Sequence, residues 1–161
     1  MSSENAVLMQ DRDAMLLDFA ETLGVSIEYV THIEGDDGQY SRSRKTIRLR
    51  EGMHARHHRS VLAHELAHAV FDDAPSRFGP VNAKQERRAD EWAALRLIDR
   101  MHYRAAEAMH ENDIASIALE LGVMQSIVRA YQSILLRVGE TVYVKPRMGT
   151  GQWVEKVAAD A

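Results

Sequence analysis

Two histidines and a glutamate stand close together near the middle of the chain, in the order His64, Glu65 and His68. This H-E-x-x-H spacing falls in a segment, Arg56 to Phe71, whose apolar residues recur as they do on an amphipathic helix. Residues four positions apart share one face of a helix, so the two imidazoles can bind the same ion. Glu65 would project beside that ion and could take a proton from a bound water. The pattern predicts a zinc site on a rigid helix.

A third ligand must come from another element, because a catalytic zinc site uses three protein ligands and leaves one position for water. The chain has no cysteine, so histidine and carboxylate are the strong zinc ligands that it can offer. Glu86 begins the next predicted helix, about Ala83 to Met101, and Asp90 lies one turn later on the same face. We predict that Glu86 binds the ion and that Asp90 accepts the outer N–H of a ligand histidine. Glu91 is the competing carboxylate, and a helix-stabilising role at the helix start is the alternative for Glu86.

Length and composition are those of one globular domain. The chain has 161 residues, 45% hydrophobic and 27% charged, which is enough for a sizeable core. Its formal net charge of -4 provides no general attraction to nucleic acid or to an anionic membrane. The first ten residues lack the pattern of a signal peptide, and no apolar run is long enough to span a membrane. We therefore expect a cytoplasmic protein without membrane contact.

The elements around the histidines predict an α+β fold that is mostly helical. Apolar spacing indicates a helix from Glu4 to Leu23, and alternation indicates strands at Val25 to Ile33 and Lys45 to Arg50. The intervening polar loop contains Asp37-Gly38, a hairpin-type signal, so we expect a small antiparallel sheet beside the histidine helix. A substrate could add as a strand along Lys45 to Arg50, although the basic residues there are equally typical of a charge-protected edge.

A helix pair is predicted near the C-terminus, at Ile114–Leu121 and Gln125–Val138, joined at Gly122. The pair resembles a helix-turn-helix, which makes a DNA-binding regulator the main alternative function. The charges between Glu111 and Arg147 sum to zero, however, whereas DNA binding normally needs several phosphate-neutralising cations. A structural pair or a protein-docking surface is favoured. We divide the chain into a zincin-like core (1–110), a helical subdomain (111–147) and a flexible tail (148–161).

The residues quoted so far resemble those of the ImmA/IrrE-type metallopeptidases of bacteria and phages. The similarity spans roughly residues 25 to 138 and lies in these runs: Thr46–Arg50, Val61–Ala69, Glu86–Ala94, Arg96–Asp99 and Ile117–Val123. The resemblance implies a gluzincin-like hydrolase with His64, His68 and Glu86 as zinc ligands and Glu65 as general base. Some family members cleave helix-turn-helix repressors. The run from Leu97 to Met101 departs from the family's usual Leu-Leu-Met-Pro-like helix end.

The sequence thus predicts a cytoplasmic zinc endopeptidase that acts on a protein. The resemblance implies that this substrate is a helix-turn-helix repressor of a phage, a mobile element or a stress response. A catalytically silent, zinc-stabilised partner-binding module is the second alternative, since the same ligands serve both roles. An additional donor to the reacting carbonyl oxygen is expected, and the candidates are Tyr40, His102, Tyr103 and His110. A further histidine cluster precedes the motif, at His54, His57 and His58, and a polar helix start is favoured there over an accessory metal site.

Overall fold

The computed structural model describes residues 3–75, 78–138, 141–146 and 153–158. The helices, in chain order, are α1 (Ser3–Thr22), α2 (Ala55–Val70), α3 (Gly79–Leu97), α4 (Arg100–Met109), α5 (Ile114–Leu121) and α6 (Gln125–Val138). The strands are β1 (Ser26–Val30), β2 (Gly38–Ser41), β3 (Thr46–Arg50), β4 (Thr141–Pro146) and β5 (Trp153–Ala158). The mostly helical α+β class predicted from the sequence is confirmed.

The first three strands form a mixed sheet in the order β1-β3-β2. Strand β1 is parallel to β3, with Ser26 opposite Thr46, so the predicted antiparallel pairing of these two segments is wrong. The antiparallel partner of β3 is β2, which the sequence analysis placed in a polar loop. The β2–β3 turn is formed by residues 42–45 rather than by Asp37-Gly38, and Lys45 takes the left-handed backbone conformation with φ 50°.

This topology also corrects the expected substrate edge. Strand β3 has a neighbour on each side, so the segment Lys45 to Arg50 cannot accept an added strand. The outer strands of the sheet are β1 and β2. Of these, β2 contacts the histidine helix α2.

One hydrophobic cluster joins the sheet to all six of these helices. It includes Ile47 and Leu49 from β3, and Leu62 and Leu66 from α2, all four with no exposed surface. Apolar residues of α5 and α6 belong to the same cluster, although they come from the predicted C-terminal subdomain. The buried side chains of α5 and α6 therefore pack on the same core as α2 and α3.

The helix pair α5–α6 matches its predicted bounds. Gly122 ends α5 in the left-handed conformation, with φ 66°, and the Val123 N–H donates to the Ala118 carbonyl at 3.0 Å. Such a closing turn favours glycine. The two helices meet at 105°, within the range of a helix-turn-helix. No single helix among the described residues is long and apolar enough to cross a membrane, and this bent pair meets the length and composition criteria only when its two helices are joined.

A buried guanidinium fixes α2 between α1 and the helix pair. Arg59 is 2% exposed, and its Nε and Nη2 donate to the Asp13 carboxylate of α1 at 2.6 and 2.9 Å. Its Nη1 donates to the Gly122 carbonyl at 2.8 Å. The neighbouring Ser60 hydroxyl accepts the Met124 N–H at 2.9 Å. The start of α6 is thereby attached directly to the histidine helix.

Two further boundaries differ from the sequence prediction. Helix α3 begins at Gly79 and ends at Leu97, and Asp99 then caps α4 by accepting the His102 N–H at 3.0 Å. Residues 153–158 of the predicted flexible tail form β5, which pairs with β4 in a two-stranded antiparallel sheet. The remaining tail residues, 148–152 and 159–161, lie outside the described residues.

Candidate metal centre

Helices α2 and α3 bring three predicted ligands together. His64 and His68 lie one turn apart on α2, and Glu86 lies on α3. We call these three side chains the metal triad. The two histidine Nε2 atoms are 3.1 Å apart, and Glu86 oxygens lie 3.2 Å from the Nε2 of His64 and 3.7 Å from that of His68. The predicted ligands are thus neighbours in space, as their roles require.

The spacing of the metal triad fits a tetrahedral ion. Zinc bonds of 2.0–2.2 Å at tetrahedral angles separate the donor atoms by about 3.3 Å, close to the observed distances. Two imidazoles and one carboxylate are also a donor set typical of catalytic zinc. The alternative third ligand, Glu91, is directed elsewhere, because its carboxylate accepts two hydrogen bonds from Arg137 at 2.8 and 2.9 Å. Among the described residues, the metal triad is the group whose ligand atoms could share one ion.

The outer nitrogen of His64 contacts the carboxylate that the sequence analysis singled out. Its Nδ1 lies 2.9 Å from Asp90 Oδ1, while Nε2 faces Glu86. Burial lowers the pKa of His64, but the hydrogen bonds to Asp90 and Glu86 outweigh burial and raise this pKa to about 10. The hydrogen bond from His64 lowers the pKa of Glu86, and the opposing effect of burial does not cancel it. With this pKa, we expect the metal-free imidazole of His64 to be doubly protonated near neutral pH, with N–H groups facing both Asp90 and Glu86.

We expect zinc binding to displace one of these protons. Near pH 7 the metal-free imidazole is charged, so binding should release about one proton from His64 and strengthen as the pH rises. Titration calorimetry in buffers of different ionisation enthalpy measures this release. Because the folded pKa exceeds the unfolded value of about 6.5, the charge stabilises the metal-free fold below that pH, and the stabilisation is lost as the pH rises toward 10. Asp90→Asn should release fewer protons, and release equal to wild type would contradict the assignment.

Glu65 is held between the metal triad and strand β2. The side chain is 7% exposed, and the Tyr40 backbone N–H donates to its carboxylate. Burial raises the pKa of Glu65, while the charges of His64 and His68 oppose the increase. A raised pKa suits a group that must accept and return a proton near neutral pH. The position is that expected of a general base.

Gly38 allows β2 to lie this close to α2. A Cβ atom at Gly38 would stand 2.5 Å from Val61 Cγ1 and 2.9 Å from Glu65 Cγ, both too short for real contacts. It would also stand 3.1 Å from Glu65 Oε1. Because Gly38 lacks a side chain, the strand can reach the general base without pushing it away. In the sequence alone, Asp37-Gly38 indicates only a turn.

Replacing Gly38 by alanine should therefore reduce hydrolysis far more than it reduces metal binding. A displacement of about 1 Å at the reacting groups can cost about 100-fold in rate. Parallel assays of turnover and zinc content would separate the two effects. Ser43→Ala is the control, since Ser43 is exposed in the turn after the same strand and does not line the cleft. A Gly38→Ala variant with normal turnover would show that the close approach of β2 has no catalytic role.

Asp73 is a site residue that the sequence analysis missed. Its Oδ2 lies 3.0 Å from His68 Nδ1, and its other oxygen accepts a hydrogen bond from Arg88. The Arg88 guanidinium also lies over the Phe71 ring, 4.0 Å from its centre. Asp73 reaches His68 because α2 ends in a turn with Asp72 at φ 53°, where the Asp73 N–H donates to the His68 carbonyl at 2.9 Å. Each ligand histidine thus has its own carboxylate partner.

We expect Asp73→Asn to weaken zinc binding by about 10- to 100-fold, the usual effect of losing a carboxylate behind a ligand histidine. The neutral amide would no longer favour the His68 tautomer that presents Nε2 to the ion. Competition with a chromogenic chelator measures the affinity. Asp72→Asn is the adjacent control, because Asp72 is exposed and pairs with Arg42 instead. Equal affinities for the two variants would count against a positioning role for Asp73.

All three side chains of the metal triad line a cleft of about 500 Å³. Gly38 and Tyr40 form one wall, and Gln85 of α3 lies on the other side. Toward the start of α2 the cleft reaches His57 and, from α6, Ser126. Toward the end of α2 it reaches residues 73–75. An extended chain could therefore pass the metal triad in both directions.

The structure separates the four candidates for an oxyanion donor. Tyr40 lines the cleft, and burial together with the Asp72 carboxylate raises its pKa, which keeps the phenol protonated. Tyr103 is buried, and its hydroxyl donates to Glu107 at 2.7 Å. His102 and His110 belong to α4 and its end, and neither lines the cleft. Tyr40 is the candidate that the geometry retains.

The three histidines His54, His57 and His58 each make a different contact. His54 caps α2 by accepting the His57 N–H at 3.3 Å, and His58 contacts the Tyr29 hydroxyl at 3.0 Å. His57 lies 2.8 Å from Asp37, which also pairs with Arg50. These separate contacts agree with the polar helix start that the sequence analysis favoured.

Comparison with known proteins gives a family match. The family described as the IrrE N-terminal-like domain, a peptidase family, matches residues 20–130. That range includes the sheet β1–β3, the metal triad, Glu65 and the first part of α6. No curated protein and no solved structure matches the chain significantly.

Proposed function

Because this chain belongs to the peptidase family of the IrrE N-terminal-like domain, we propose that it is a zinc-dependent endopeptidase acting on a protein substrate. One observation carries the proposal: the metal triad has tetrahedral spacing and a buried glutamate, Glu65, lies beside it. A purely structural metal site needs no such base. The cleft passes the metal triad on both sides, which favours cleavage within a chain over removal of a terminal residue.

Each residue would have a defined part in hydrolysis. His64, His68 and Glu86 would hold the ion, which when bound would acidify water and polarise a carbonyl. The Glu65 carboxylate would take the proton from the attacking water and then deliver it to the leaving amine. The Tyr40 hydroxyl would donate a hydrogen bond to the carbonyl oxygen as negative charge develops there.

The substrate would bind as an added strand on β2. The Arg50 N–H donates to the Asp37 carbonyl at 2.9 Å, which places Asp37 in a hydrogen-bonded pair with β3. Since bonding alternates along an antiparallel strand, the backbone groups of Gly38 and Tyr40 face the cleft. One of them, the Tyr40 N–H, already holds Glu65. The Gly38 groups would then bond a peptide without selecting its sequence.

The family resemblance supports a helix-turn-helix repressor as the substrate, in the cytoplasm of a bacterium or of a phage-infected cell. The test is to incubate the zinc-loaded protein with repressors encoded near its gene and with an unfolded reference protein. Mass spectrometry would then detect new termini. Cleavage that requires zinc and Glu65 would support the proposal. Zinc binding without cleavage of any of these proteins would favour the silent partner-binding module.

DNA binding is not favoured as a second function. In a helix-turn-helix, the start of the second helix must enter the DNA groove. Here Met124, Ser126 and Ile127, at the start of α6, line the cleft next to the histidine helix. Arg137 at the end of α6 is paired with Glu91. The angle between the two helices suits DNA recognition, but the start of α6, which would contact the DNA bases, is part of the candidate active site.

A further inference from the structure

Acidic side chains dominate the charge of the cleft. Six carboxylates line it, namely Asp36, Asp37, Glu65, Asp73, Glu86 and Asp90. Among the described residues that line the cleft there is no lysine or arginine. The cleft is already identified as a site by the metal triad and by the free edge of β2, so these charges indicate what kind of peptide it accepts.

The negative charge persists after the local partners are considered. Arg50 pairs with Asp37 and Arg88 with Asp73, so these two carboxylates are balanced. A divalent ion would offset the charges of Glu65 and Glu86. The carboxylates of Asp36 and Asp90 then remain, because a metal-bound imidazole beside Asp90 is neutral. Near Tyr40, Arg42 and Asp72 neutralise each other.

The remaining charges lie at different distances from the reacting bond. Asp90 is behind His64, next to the metal triad. Asp36 is exposed and lines the cleft, and the next residue, Asp37, lies 2.8 Å from His57, which precedes His64 by seven residues on α2. Seven helical residues span about 10 Å, the length of about three extended residues. A cationic side chain within about three positions of the scissile bond could therefore approach Asp36.

We propose that the substrate segment is cationic: an extended peptide with lysine or arginine within a few residues of the cleaved bond. This inference rests on the proposed function, since it concerns the same cleft. Charges of one sign lining a cleft concentrate the electric field there and speed the approach of a partner of the opposite charge. Cationic segments are common in proteins that bind nucleic acid, which makes such proteins chemically suitable substrates.

Three labelled peptides would test the inference with the zinc-loaded protein. The peptides are about twelve residues long, enough to span the cleft when extended, and are identical except at two positions. Those positions hold lysine, glutamine or glutamate. Fluorescence anisotropy gives the affinities, and mass spectrometry of the same samples detects cleavage. We expect the lysine peptide to bind about three- to tenfold more tightly than the glutamine peptide, as expected for charge pairs at a partly exposed site. The glutamate peptide should bind most weakly.

Two charge reversals provide matched variants. Asp36→Lys should remove most of the preference, whereas Glu28→Lys should preserve it, because Glu28 lies on β1 at the opposite edge of the sheet. Added salt should also reduce the preference, since exposed charges are screened. Equal binding of the three peptides, or equal effects of the two variants, would overturn the inference. A charge preference without cleavage would refute the proposed peptidase while leaving the cationic specificity of the cleft intact.

Discussion

Glu65→Gln should leave zinc bound and reduce peptide hydrolysis by about 10²- to 10⁴-fold, the usual contribution of general acid–base catalysis. Glutamine has nearly the same shape and can still accept the Tyr40 backbone N–H. It cannot take a proton from water. Because Glu65 is not one of the ligand side chains, the metal content should not change.

The measurement is turnover of a cleavable peptide by protein whose zinc content has been determined. Glu28→Gln is the control, since it removes an exposed carboxylate on β1 without touching the cleft. Near-normal turnover in Glu65→Gln would remove Glu65 from the mechanism. Loss of zinc in that variant would mean that the carboxylate helps to bind the ion.

Glu86→Gln should have the largest effect on metal binding. The substitution replaces the one carboxylate of the metal triad by a neutral, much weaker ligand. The loss of affinity should exceed the roughly 10- to 100-fold expected for the outer carboxylates. When zinc is limiting, peptide hydrolysis should fall together with the zinc affinity.

Glu91→Gln provides the comparison for this result. The two glutamates lie on the same helix, and the sequence left Glu91 as the rival ligand. In the structure Glu91 is bonded to Arg137, so its loss should lower thermal stability and leave zinc affinity unchanged. The opposite pattern, with zinc lost from Glu91→Gln and kept by Glu86→Gln, would reassign the third ligand.

The sequence could predict those parts of the site that a single helix controls. The spacing of His64 and His68 follows from the helical repeat, and so does the placement of Asp90 one turn after Glu86. Helices α5 and α6 were also predictable, because their apolar periodicity is strong and Gly122 ends the first of them. In these cases, residues close together in the sequence determine the structure.

The missed features depend on contacts between distant segments. Strand β2 is short and polar, so it lacks the alternation of apolar residues that would predict a strand. It is stabilised by its pairing with β3 and its contact with α2. The parallel pairing of β1 with β3 follows from that insertion. Asp73 comes next to His68 through a turn in which a non-glycine residue, Asp72, is left-handed, which propensities do not favour. A second acidic residue just after the motif helix was the available clue.

The Arg59 contacts show that the metal ligands and the contacts that position their helix come from different parts of the chain. The metal triad is local in sequence, with 22 positions between His64 and Glu86. Arg59, by contrast, holds α2 through Asp13, 46 positions before it, and Gly122, 63 positions after it. A peptide containing only α2 and α3 would possess every ligand but neither of these anchors. We expect it to bind metal ions loosely and with little discrimination between them, so that any ion selectivity of the protein would come from the long-range fold rather than from the motif.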